Sequence, residues 1–349
     1  MLGAKVATVS DVAARAGVSV STAARVLSGR GYAAEETRLL VMDAARELGY
    51  VPNRIARSLR TRRTNLIGLL IGDVENSFYS VIAKNVESVA KDAGYHVVLC
   101  NSDDDADNER EYLQLLEGMQ VDALIVTPTS KNRRYLTRLL ESGLVIVQMD
   151  RRVHGLPADA ILVDNEAGAA SAVSRLIEAG HERIGILTGE LDVQTASRRL
   201  AGYERALRDH GIPIRDELIR TGSFHRDHAV DDATDLIRAR PAPTAIFAAN
   251  NILAEGALMA VEQRGMNVPR DLSVVGFDDV QWMSMIEPPL TTVRQPVAEM
   301  ARSAAELTLR RLGETTPGKP STVVFRTELI ERASVAQARK AKAKAASAT

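Results

Sequence analysis

The sequence has few of the features that mark secreted, membrane-bound or disulfide-stabilised proteins. Cys100 is the single cysteine, so no disulfide can form within the chain, and aromatic residues make up only 4% of the sequence. No apolar run approaches the roughly 18 residues of a membrane span. Asp11, Arg15 and Arg25 interrupt the apolar stretch that a secretory signal would need near its start. We therefore expect a cytoplasmic protein.

Motifs of catalysis and of metal or phosphate binding are also scarce. The acidic stretch Asp103–Asp107 lacks the glycine and glutamate of a calcium-binding EF-hand loop, and His225 and His228 have no third ligand nearby. No Gly-x-x-x-x-Gly-Lys-Ser/Thr sequence is present. Cys100 lies in a predicted buried strand, which favours a packing role over a nucleophilic one. We expect no enzyme activity, no cofactor and no metal site.

Charge is balanced overall, at a formal net charge of −1, but it is distributed unevenly. Residues 1–63 contain 11 lysines and arginines and 5 acids, a net charge of +6, which leaves −7 for the rest. A basic segment joined to an acidic body is typical of a phosphate-binding module attached to a part that does not bind polyanions. The 349 residues are enough for two or three domains.

The stretch Val9–Leu27 predicts two short helices joined by a turn at Gly17. Ser10 is the predicted N-cap of the first helix, and Ser19 or Ser21 can begin the second. The outer face of the second helix carries compact side chains and one guanidinium, which suits a helix that enters a major groove. These outer residues are Ser19, Val20, Ser21, Thr22 and Arg25. An alanine-rich helical hairpin without a DNA-binding role is the alternative interpretation.

Two further helices are predicted in the basic segment. One runs from Ala34 to Leu48 and ends at Gly49, and a short basic helix begins at Pro52. Leu59 in the short helix has no core to join, and so short a helix is marginal by itself, so we expect it to form only when it docks. The predicted apolar set of the longer helix is Leu39, Leu40, Met42, Ala45 and Leu48.

From Leu66 onwards, apolar strands alternate with helices. Leu66–Ile71 and Arg183–Thr188 are equivalent first strands of two halves with the same plan. Apolar runs of this length between helices favour parallel sheets that are covered on both faces. Two such doubly wound lobes place a crevice at the carboxyl ends of their strands, where polar loop residues converge.

The chain resembles the lac repressor/purine repressor (LacI/GalR) family of transcriptional regulators. The resemblance rests on Val9–Ser19, Arg25–Leu27, Glu35–Arg38, Glu47–Tyr50 and Pro52–Leu59, and it extends to about Ser334. It implies an all-α helix-turn-helix head with a hinge helix, followed by a periplasmic-binding-protein-like α/β body of two doubly wound parallel-sheet lobes.

The resemblance and the pattern of elements together predict where the domains begin and end. The head is expected at 1–63 with its hinge helix at about 52–60, the body at 64–334, and a disordered basic tail at 335–349. Lobe 1 would comprise about 64–163 and 291–320, and lobe 2 about 164–290 and 321–334. The three crossings between the lobes would fall near Leu162–Asn165, Pro289–Thr292 and Thr316–Val323.

By this resemblance, two heads of a homodimer bind a palindromic operator in double-stranded DNA, and the paired hinge helices bind its minor groove. Leu59 matches the leucine that wedges between base pairs and kinks the DNA. Ala23 and Ala24 depart from the Val-Ser usual in relatives, which would loosen packing and remove a hydroxyl that could reach phosphate. The residues expected at the DNA are Ser10, Ser19, Val20, Ser21, Thr22, Arg25, Ser28, Thr37, Tyr50, Asn53, Ala56, Arg57, Leu59 and Arg60.

The resemblance also places a small effector in the crevice. Carboxylate, guanidinium and amide groups can bind vicinal hydroxyls while aromatic rings cover an apolar face, which favours a sugar or sugar derivative, including a sugar acid, over a nucleobase or nucleoside. Asp278 could instead cap a helix, Arg199 could be a solvated surface residue, and Asn251 stands where relatives usually have aspartate. The expected effector residues are Asn76, Phe78, Tyr79, Thr127, Asp150, Thr195, Arg199, Phe224, Asn250 and Asp278.

The sequence therefore predicts an effector-controlled transcriptional regulator, most simply a repressor. Effector binding would shift the lobes and thereby change operator affinity, with a sign that the sequence leaves open. The alternative is a solute-binding sensor or sugar-transport binding protein that shares the body fold but does not regulate through DNA.

Overall fold

The computed structural model describes residues 7–28, 32–50, 63–224, 226–315 and 318–338, without the side chain of Asp227. The chain divides into two compact units, Met1–Thr64 and Asn65–Thr349. The predicted hinge helix lies outside the described residues, and so do Asn53, Ala56, Arg57, Leu59 and Arg60. No described helix is both long and apolar enough to cross a membrane.

The first unit is a head of three helices around a small apolar core. Val12 and Ala23 are fully buried from two of the helices, and Val41 is fully buried from the third. Arg15 and Glu47 form an exposed ion pair of 2.5 Å across the bundle, a kind of pair that contributes little stability. The helices are α1 (Val9–Ala16), α2 (Val20–Ser28) and α3 (Glu35–Glu47).

The ends of α1 and α2 follow from their capping residues. The predicted N-cap Ser10 was wrong, because the N-cap lies two residues earlier: the Thr8 hydroxyl accepts the Asp11 N–H at 3.3 Å, and the Asp11 carboxylate accepts the Thr8 N–H at 2.8 Å. Gly17 ends α1 in the left-handed conformation, as predicted, with a φ of 69°. Ser19 accepts the Thr22 N–H at 3.1 Å at the start of α2.

The predicted apolar set of α3 was largely wrong. Ala45 is buried, but the other buried positions are Val41 and Ala44, which the prediction omitted. The reason is the helical period: residues 41, 44 and 45 share the face that packs on α1 and α2, and the neighbouring large side chains point away from it. Leu39, Leu40, Met42 and Leu48 are respectively 59%, 52%, 46% and 38% exposed.

The second unit contains two six-stranded sheets, one for each lobe. The first half contributes β1 (Leu66–Ile71), β2 (His96–Asn101), β3 (Ala123–Val126), β4 (Val145–Asp150) and β5 (Asp159–Val163). The second half contributes β6 (Ile184–Thr188), β7 (Ile219–Thr221), β8 (Ala245–Ala248), β9 (Ser273–Phe277), β10 (Thr291–Arg294), β11 (Thr322–Phe325) and β12 (Glu328–Ile330).

The two sheets have the same plan. Their orders are β11-β5-β4-β3-β1-β2 in lobe 1 and β12-β10-β9-β8-β6-β7 in lobe 2, so that β4 corresponds to β9. Neighbouring strands run parallel, except that β12 is antiparallel to β10. Because parallel strands point the same way, the carboxyl ends of all six strands of lobe 1, and of five of the six strands of lobe 2, lie at one edge of their sheet.

Helices follow the strands and cover the sheets. Beneath them, Ile67, Ile125 and Val147 are buried in lobe 1, and Ile186 and Val275 are buried in lobe 2. The helices are α4 (Ser77–Asp92), α5 (Ala106–Gly118), α6 (Arg133–Glu141), α7 (Asn165–Glu178), α8 (Gln194–Asp209), α9 (Arg226–Arg238), α10 (Asn251–Gln263) and α11 (Val297–Gly313), with short 3-10 turns at Ser130–Asn132, Asp216–Leu218 and Gln281–Ser284.

Two crossings between the lobes come later in the chain than predicted. The chain first crosses at Asp164, after β5 completes its pairing with β4. β10 then belongs to the lobe 2 sheet and α11 packs on lobe 1, so the second crossing is at Gln295–Pro296. β11 belongs to lobe 1 and β12 to lobe 2, which puts the third crossing after Phe325. In each case a strand completes its own sheet before the chain leaves the lobe.

The segment after β12 is part of lobe 2 as far as it is described. The Ser334 hydroxyl donates to the Val274 carbonyl, and the Ala338 N–H donates to the Ala179 carbonyl at 2.8 Å. Burial of His181, which contacts the Ala336 carbonyl, lowers the pKa of its imidazole. The predicted disordered tail from residue 335 therefore began too early, and residues 339–349 lie outside the described ranges.

Candidate functional site

One cavity between the two lobes contains most of the side chains predicted to bind an effector. It lies at the carboxyl ends of the strands, where two doubly wound lobes meet. Nine of the ten predicted residues line it: Asn76, Phe78, Tyr79, Asp150, Thr195, Arg199, Phe224, Asn250 and Asp278.

Thr127 is the exception, and its predicted place in the cavity was wrong. Its N–H donates to the Leu70 carbonyl at 2.9 Å, which continues the β1–β3 ladder by one residue. The side chain is 2% exposed and does not line the cavity. Thr127 therefore continues β3 at its carboxyl end.

Helix caps hold two amide side chains at the cavity. The Asn76 carboxamide oxygen accepts the Phe78 N–H at 3.0 Å and caps α4. The Asn250 oxygen accepts the Leu253 N–H at 2.7 Å and caps α10. Each cap fixes the oxygen of its amide on a backbone donor, so the amide nitrogen is the group that can turn towards a ligand.

Asp150 and Asp278 occupy corresponding positions in the two lobes. Asp150 ends β4, Asp278 follows β9, and both have a φ of +69°. This left-handed conformation is uncommon for residues other than glycine and turns the chain sharply at the strand end. The two carboxylates therefore reach the cavity from opposite lobes.

Arg199 is buried, so it is not the solvated surface residue of the alternative interpretation. It is 4% exposed, and its guanidinium donates to the Asn165 side-chain oxygen at 2.7 Å and to the Ala249 carbonyl at 2.5 Å. The guanidinium carbon lies 3.9 Å from the centre of the Phe277 ring. A terminal nitrogen lies 3.8 Å from the Asp278 carboxylate. These contacts fix a cation at the cavity wall.

Burial is the largest influence on the pKa values of the Asp150 carboxyl and the Tyr79 hydroxyl. Loss of hydration raises the pKa of Asp150 to about 6, although the cations of Arg199 and Arg151 act in the opposite direction. Burial and the nearby Asp104 raise the pKa of the Tyr79 hydroxyl well above 10.0, so this hydroxyl is a hydrogen-bond donor at neutral pH.

The cavity also contains five residues that the sequence prediction missed. Arg151 pairs with Asp104, and the Gln295 amide donates to the Asp278 carboxylate. The 3-10 turn Gln281–Ser284 has Val280 at its N-cap and no side-chain cap, so Asp278 does not cap it. Arg151 could have been found as the neighbour of Asp150, whereas strand alternation gives no signal for Gln295. The missed residues are Asp73, Asp104, Arg151, Ile252 and Gln295.

Two glycines let side chains approach the cavity wall closely. A β-carbon at Gly189 would lie 2.2 Å from the Phe224 ring, so the ring lies directly on the backbone there. A β-carbon at Gly72 would lie 2.4 Å from an Asp104 carboxylate oxygen and 2.8 Å from the Tyr79 hydroxyl. Any larger residue would displace these groups.

The space between the lobes includes two adjoining chambers that share lining residues. The inner chamber, which the predicted residues line, has a volume of about 40 Å³. The outer chamber has a volume of about 470 Å³, and Asp73, Asp104 and Phe224 line both. Hydrogen bonds join the lobes beside them: the Asn251 amide donates to the Asn76 oxygen at 3.2 Å, and the Arg152 N–H donates to Gln194 at 2.8 Å.

A second candidate surface lies on α2 of the head. Val20 is 50% exposed, and Ser19, Ser21 and Arg25 are exposed beside it. Ser19 also hydrogen bonds to the hydroxyls of Ser21 and Thr22 at 2.9 and 2.8 Å. An exposed apolar side chain surrounded by small hydroxyls and a guanidinium suits contact with base edges and phosphates.

The remaining predicted DNA contacts of the head have mixed environments. Ser10 is exposed on α1, while Thr37 and Ser28 are half-buried, and the Ser28 hydroxyl donates to the Arg25 carbonyl at 2.9 Å. Tyr50 is half-buried and packs against the head core. Its ring therefore helps to hold the end of α3 in place.

Comparison with known proteins decides the family. The model for bacterial regulatory proteins of the lacI family matches residues 8–53, and that for a periplasmic binding protein-like domain matches residues 173–335. The HTH-type transcriptional repressor PurR of Vibrio atlanticus (strain LGP32) is 35% identical over 332 residues, which cover 94% of this chain and 98% of that protein. The chain belongs to the lacI family of bacterial regulatory proteins.

Solved structures of the lac repressor and of a second transcriptional regulator agree with this assignment. The lac repressor dimer bound to operator and the anti-inducer ONPF aligns with a TM-score of 0.83 at 27% identity, covering 95% of this chain and 100% of that one. A complex of the transcriptional regulator CelR with cellobiose aligns with a TM-score of 0.71 at 32% identity, covering 94% and 99%.

The family assignment decides between the two functions that the sequence left open. Residues 8–53 contain α1, α2 and α3, so the matched lacI segment is the three-helix head. The protein is a DNA-binding transcriptional regulator. The alternative of a solute-binding protein without regulatory DNA binding was wrong. Within the described ranges, no group of three or more His, Cys, Asp or Glu side chains is arranged to hold a metal ion.

Proposed function

We propose that this lacI-family member is a transcriptional repressor that binds a palindromic operator as a homodimer and responds to a sugar in the inter-lobe cleft. It acts in the cytoplasm and has no enzymatic activity. The observation that carries the proposal is the exposed face of α2, where Val20, Ser21 and Arg25 stand on a helix held by a lacI-type head. One head would bind weakly, and two linked heads give avidity on a two-fold site.

The cleft supports effector control for separate reasons. It carries two opposed carboxylates, a fixed guanidinium and aromatic rings, a set that can bind sugar hydroxyls and cover a ring face. It also lies between two lobes whose relative position a ligand could change. A ligand that prefers one arrangement of the lobes would shift the population and so the affinity for the operator.

The proposal is tested by a gel-shift titration of the full chain against DNA from upstream of its own gene. We expect salt-sensitive binding to a palindrome, and we expect Arg25→Ala to weaken it about tenfold and to reduce the salt slope by about one. Arg46→Ala is the matched control, because Arg46 is exposed on α3 and pairs with Asp43. Equal losses in both variants, or no preference for a palindrome, would contradict the proposal.

A further inference from the structure

The two chambers of the cleft differ greatly in size, and the difference bears on the shape of the effector. The inner chamber, at about 40 Å³, has room for about three water-sized groups, because one water needs about 10–15 Å³ of such space. The outer chamber, at about 470 Å³, lies within the usual range of ligand pockets, about 300–1,000 Å³. With the lobes in this arrangement, only one end of a ligand fits in the inner chamber.

Two buried polar atoms of residues that line the inner chamber can form hydrogen bonds with that end of the ligand. The Arg151 Nε and the Gln295 Oε1 have no hydrogen-bond partner among the described residues, although their side chains line the chamber and are 3% and 5% exposed. A buried polar group without a partner is costly, so a ligand that supplies one gains affinity. One atom donates and the other accepts, which suits a hydroxyl group, since a hydroxyl can do both.

Phe224 connects the two chambers. Its ring lies directly on Gly189 and lines both of them, so it offers a fixed flat surface at their junction. A sugar ring whose hydroxyls reach Arg151 and Gln295 can cover its apolar face against Phe224. Any further unit attached to that ring must then extend into the outer chamber.

The outer chamber is strongly acidic. Its lining includes the carboxylates of Asp73, Asp103, Asp105 and Glu190, against the ammonium of Lys131. Asp104 also lines it, but its carboxylate pairs with Arg151. Burial, together with the charges of Asp103 and Asp104, raises the pKa of Asp73, as expected where like charges crowd. A ligand with a phosphate or carboxylate would be repelled by this lining, whereas a neutral ligand would be hydrogen-bonded by it.

We propose that the effector is a neutral saccharide of two or more units, with one end in the inner chamber, its first ring on Phe224 and the rest in the outer chamber. The proposal rests on the cleft being the effector site and names the ligand class of that site. It excludes sugar phosphates, sugar acids and nucleotides as effectors.

Calorimetric titration of the full chain tests the proposal. The probes are glucose, xylose and galactose, their neutral disaccharides and trisaccharides (cellobiose, maltose, lactose, xylobiose and the next homologues), the aldonic acids of the same sugars, and the 6-phosphates of the hexoses. We expect at least one neutral disaccharide to bind at least about tenfold more tightly than its monosaccharide and its anionic counterpart.

Two variants separate the size argument from the charge argument. Ala106 is half-buried, begins α5 and lines the outer chamber but not the inner one, so Ala106→Trp should weaken disaccharide binding at least about tenfold without affecting DNA binding. Ala242→Trp is the control, because Ala242 is exposed in the loop before β8, at the opposite edge of the sheet. The double variant Asp103→Asn, Glu190→Gln should reduce the discrimination against anionic counterparts.

The outcomes distinguish this inference from the proposed function. A monosaccharide that binds as tightly as its oligomers, or an anionic sugar that binds best, overturns the inference but leaves an effector in the cleft. If no probe of any class binds, both the inference and the effector control are contradicted. If Ala106→Trp fails to fold, the charge variant and the probe series still decide.

Discussion

The two lobes share one plan, but they hold their corresponding carboxylates differently. Asp278 of lobe 2 accepts a hydrogen bond from Gln295 and has the Arg199 guanidinium at 3.8 Å. In lobe 1, Arg151 follows Asp150 in the chain, but its guanidinium pairs with Asp104 instead. Asp150 is left with burial as the dominant influence on its charge, and its pKa rises to about 6.

The difference shows that the same backbone position in the two lobes can carry carboxylates with different surroundings. The same strand-end turn, with a φ of +69° in both lobes, delivers Asp150 and Asp278. Asp278 is held in place by groups from two elements, so it can orient a ligand without moving. Asp150 is ionised at a cost of dehydration, which a ligand hydroxyl would offset by hydrogen bonding to the charged form. We infer that ligand binding gains more at Asp150 than at Asp278.

The largest expected change in the free energy of unfolding comes from replacing Arg199, the buried cation beside Asp278 in lobe 2. Arg199→Met would break the contacts to Asn165 and Ala249 and leave Asp278 without its nearby cation. We expect the free energy of unfolding to fall by about 3–5 kcal/mol, as for other buried ion pairs that lose one partner. Urea unfolding of the full chain measures it, with effector binding as a second readout.

The neighbouring arginine provides a matched control. Arg198 is exposed and lies 3.4 Å from Glu166, so Arg198→Met should change the free energy of unfolding by less than about 0.5 kcal/mol. Similar losses in the two variants would show that Arg199 is not the fixed cation that distinguishes lobe 2.

Replacing Asp150 or Asp278 by asparagine should change the free energy of unfolding by an intermediate amount. The change should have opposite signs in the two lobes. Because the pKa of Asp150 is raised from 3.8 to about 6, its stabilising neutral form is fully present below pH 3.8 and is lost as pH rises through 6. Asp150→Asn should therefore raise the free energy of unfolding at pH 7.5 by about 1–3 kcal/mol, with a smaller gain at pH 5. Asp278→Asn should lower it at pH 7.5, since Arg199 would lose its nearby carboxylate.

Urea unfolding of both variants at pH 5 and pH 7.5 checks this prediction. Two results would contradict the proposed difference between the lobes. One is a change in the free energy of unfolding that has the same sign for both variants at pH 7.5, and the other is a stabilisation of Asp150→Asn that does not depend on pH. A stabilised Asp150→Asn that also loses sugar affinity would show that this carboxylate is kept for binding at the expense of stability.

The sequence predicted the cleft better than it predicted the helix faces, and the reason is geometric. Parallel strands bring their carboxyl ends together whatever the loops do, so residues directly after strands, such as Asp150 and Asn250, could be assigned to one cavity. Gln295 was missed because it reaches the cavity from a crossing, which strand alternation does not indicate. The faces of α3 were wrong because adjacent leucines at 39 and 40 fit more than one helical register.

The smallest expected effect concerns the hydrogen bond that joins the lobes at the cleft. The Asn251 amide donates to Asn76 at 3.2 Å, but its own oxygen is buried without a partner among the described residues. Asn251→Ala removes both the bond and the unsatisfied oxygen, so the two effects partly cancel, and the free energy of unfolding should fall by no more than about 1 kcal/mol. Gln194→Ala, which removes the acceptor of the other bond, has no such compensation and should cost more. A larger loss for Asn251→Ala than for Gln194→Ala in urea unfolding would mean that the Asn251 bond, rather than the Gln194 bond, contributes more to holding the two lobes together.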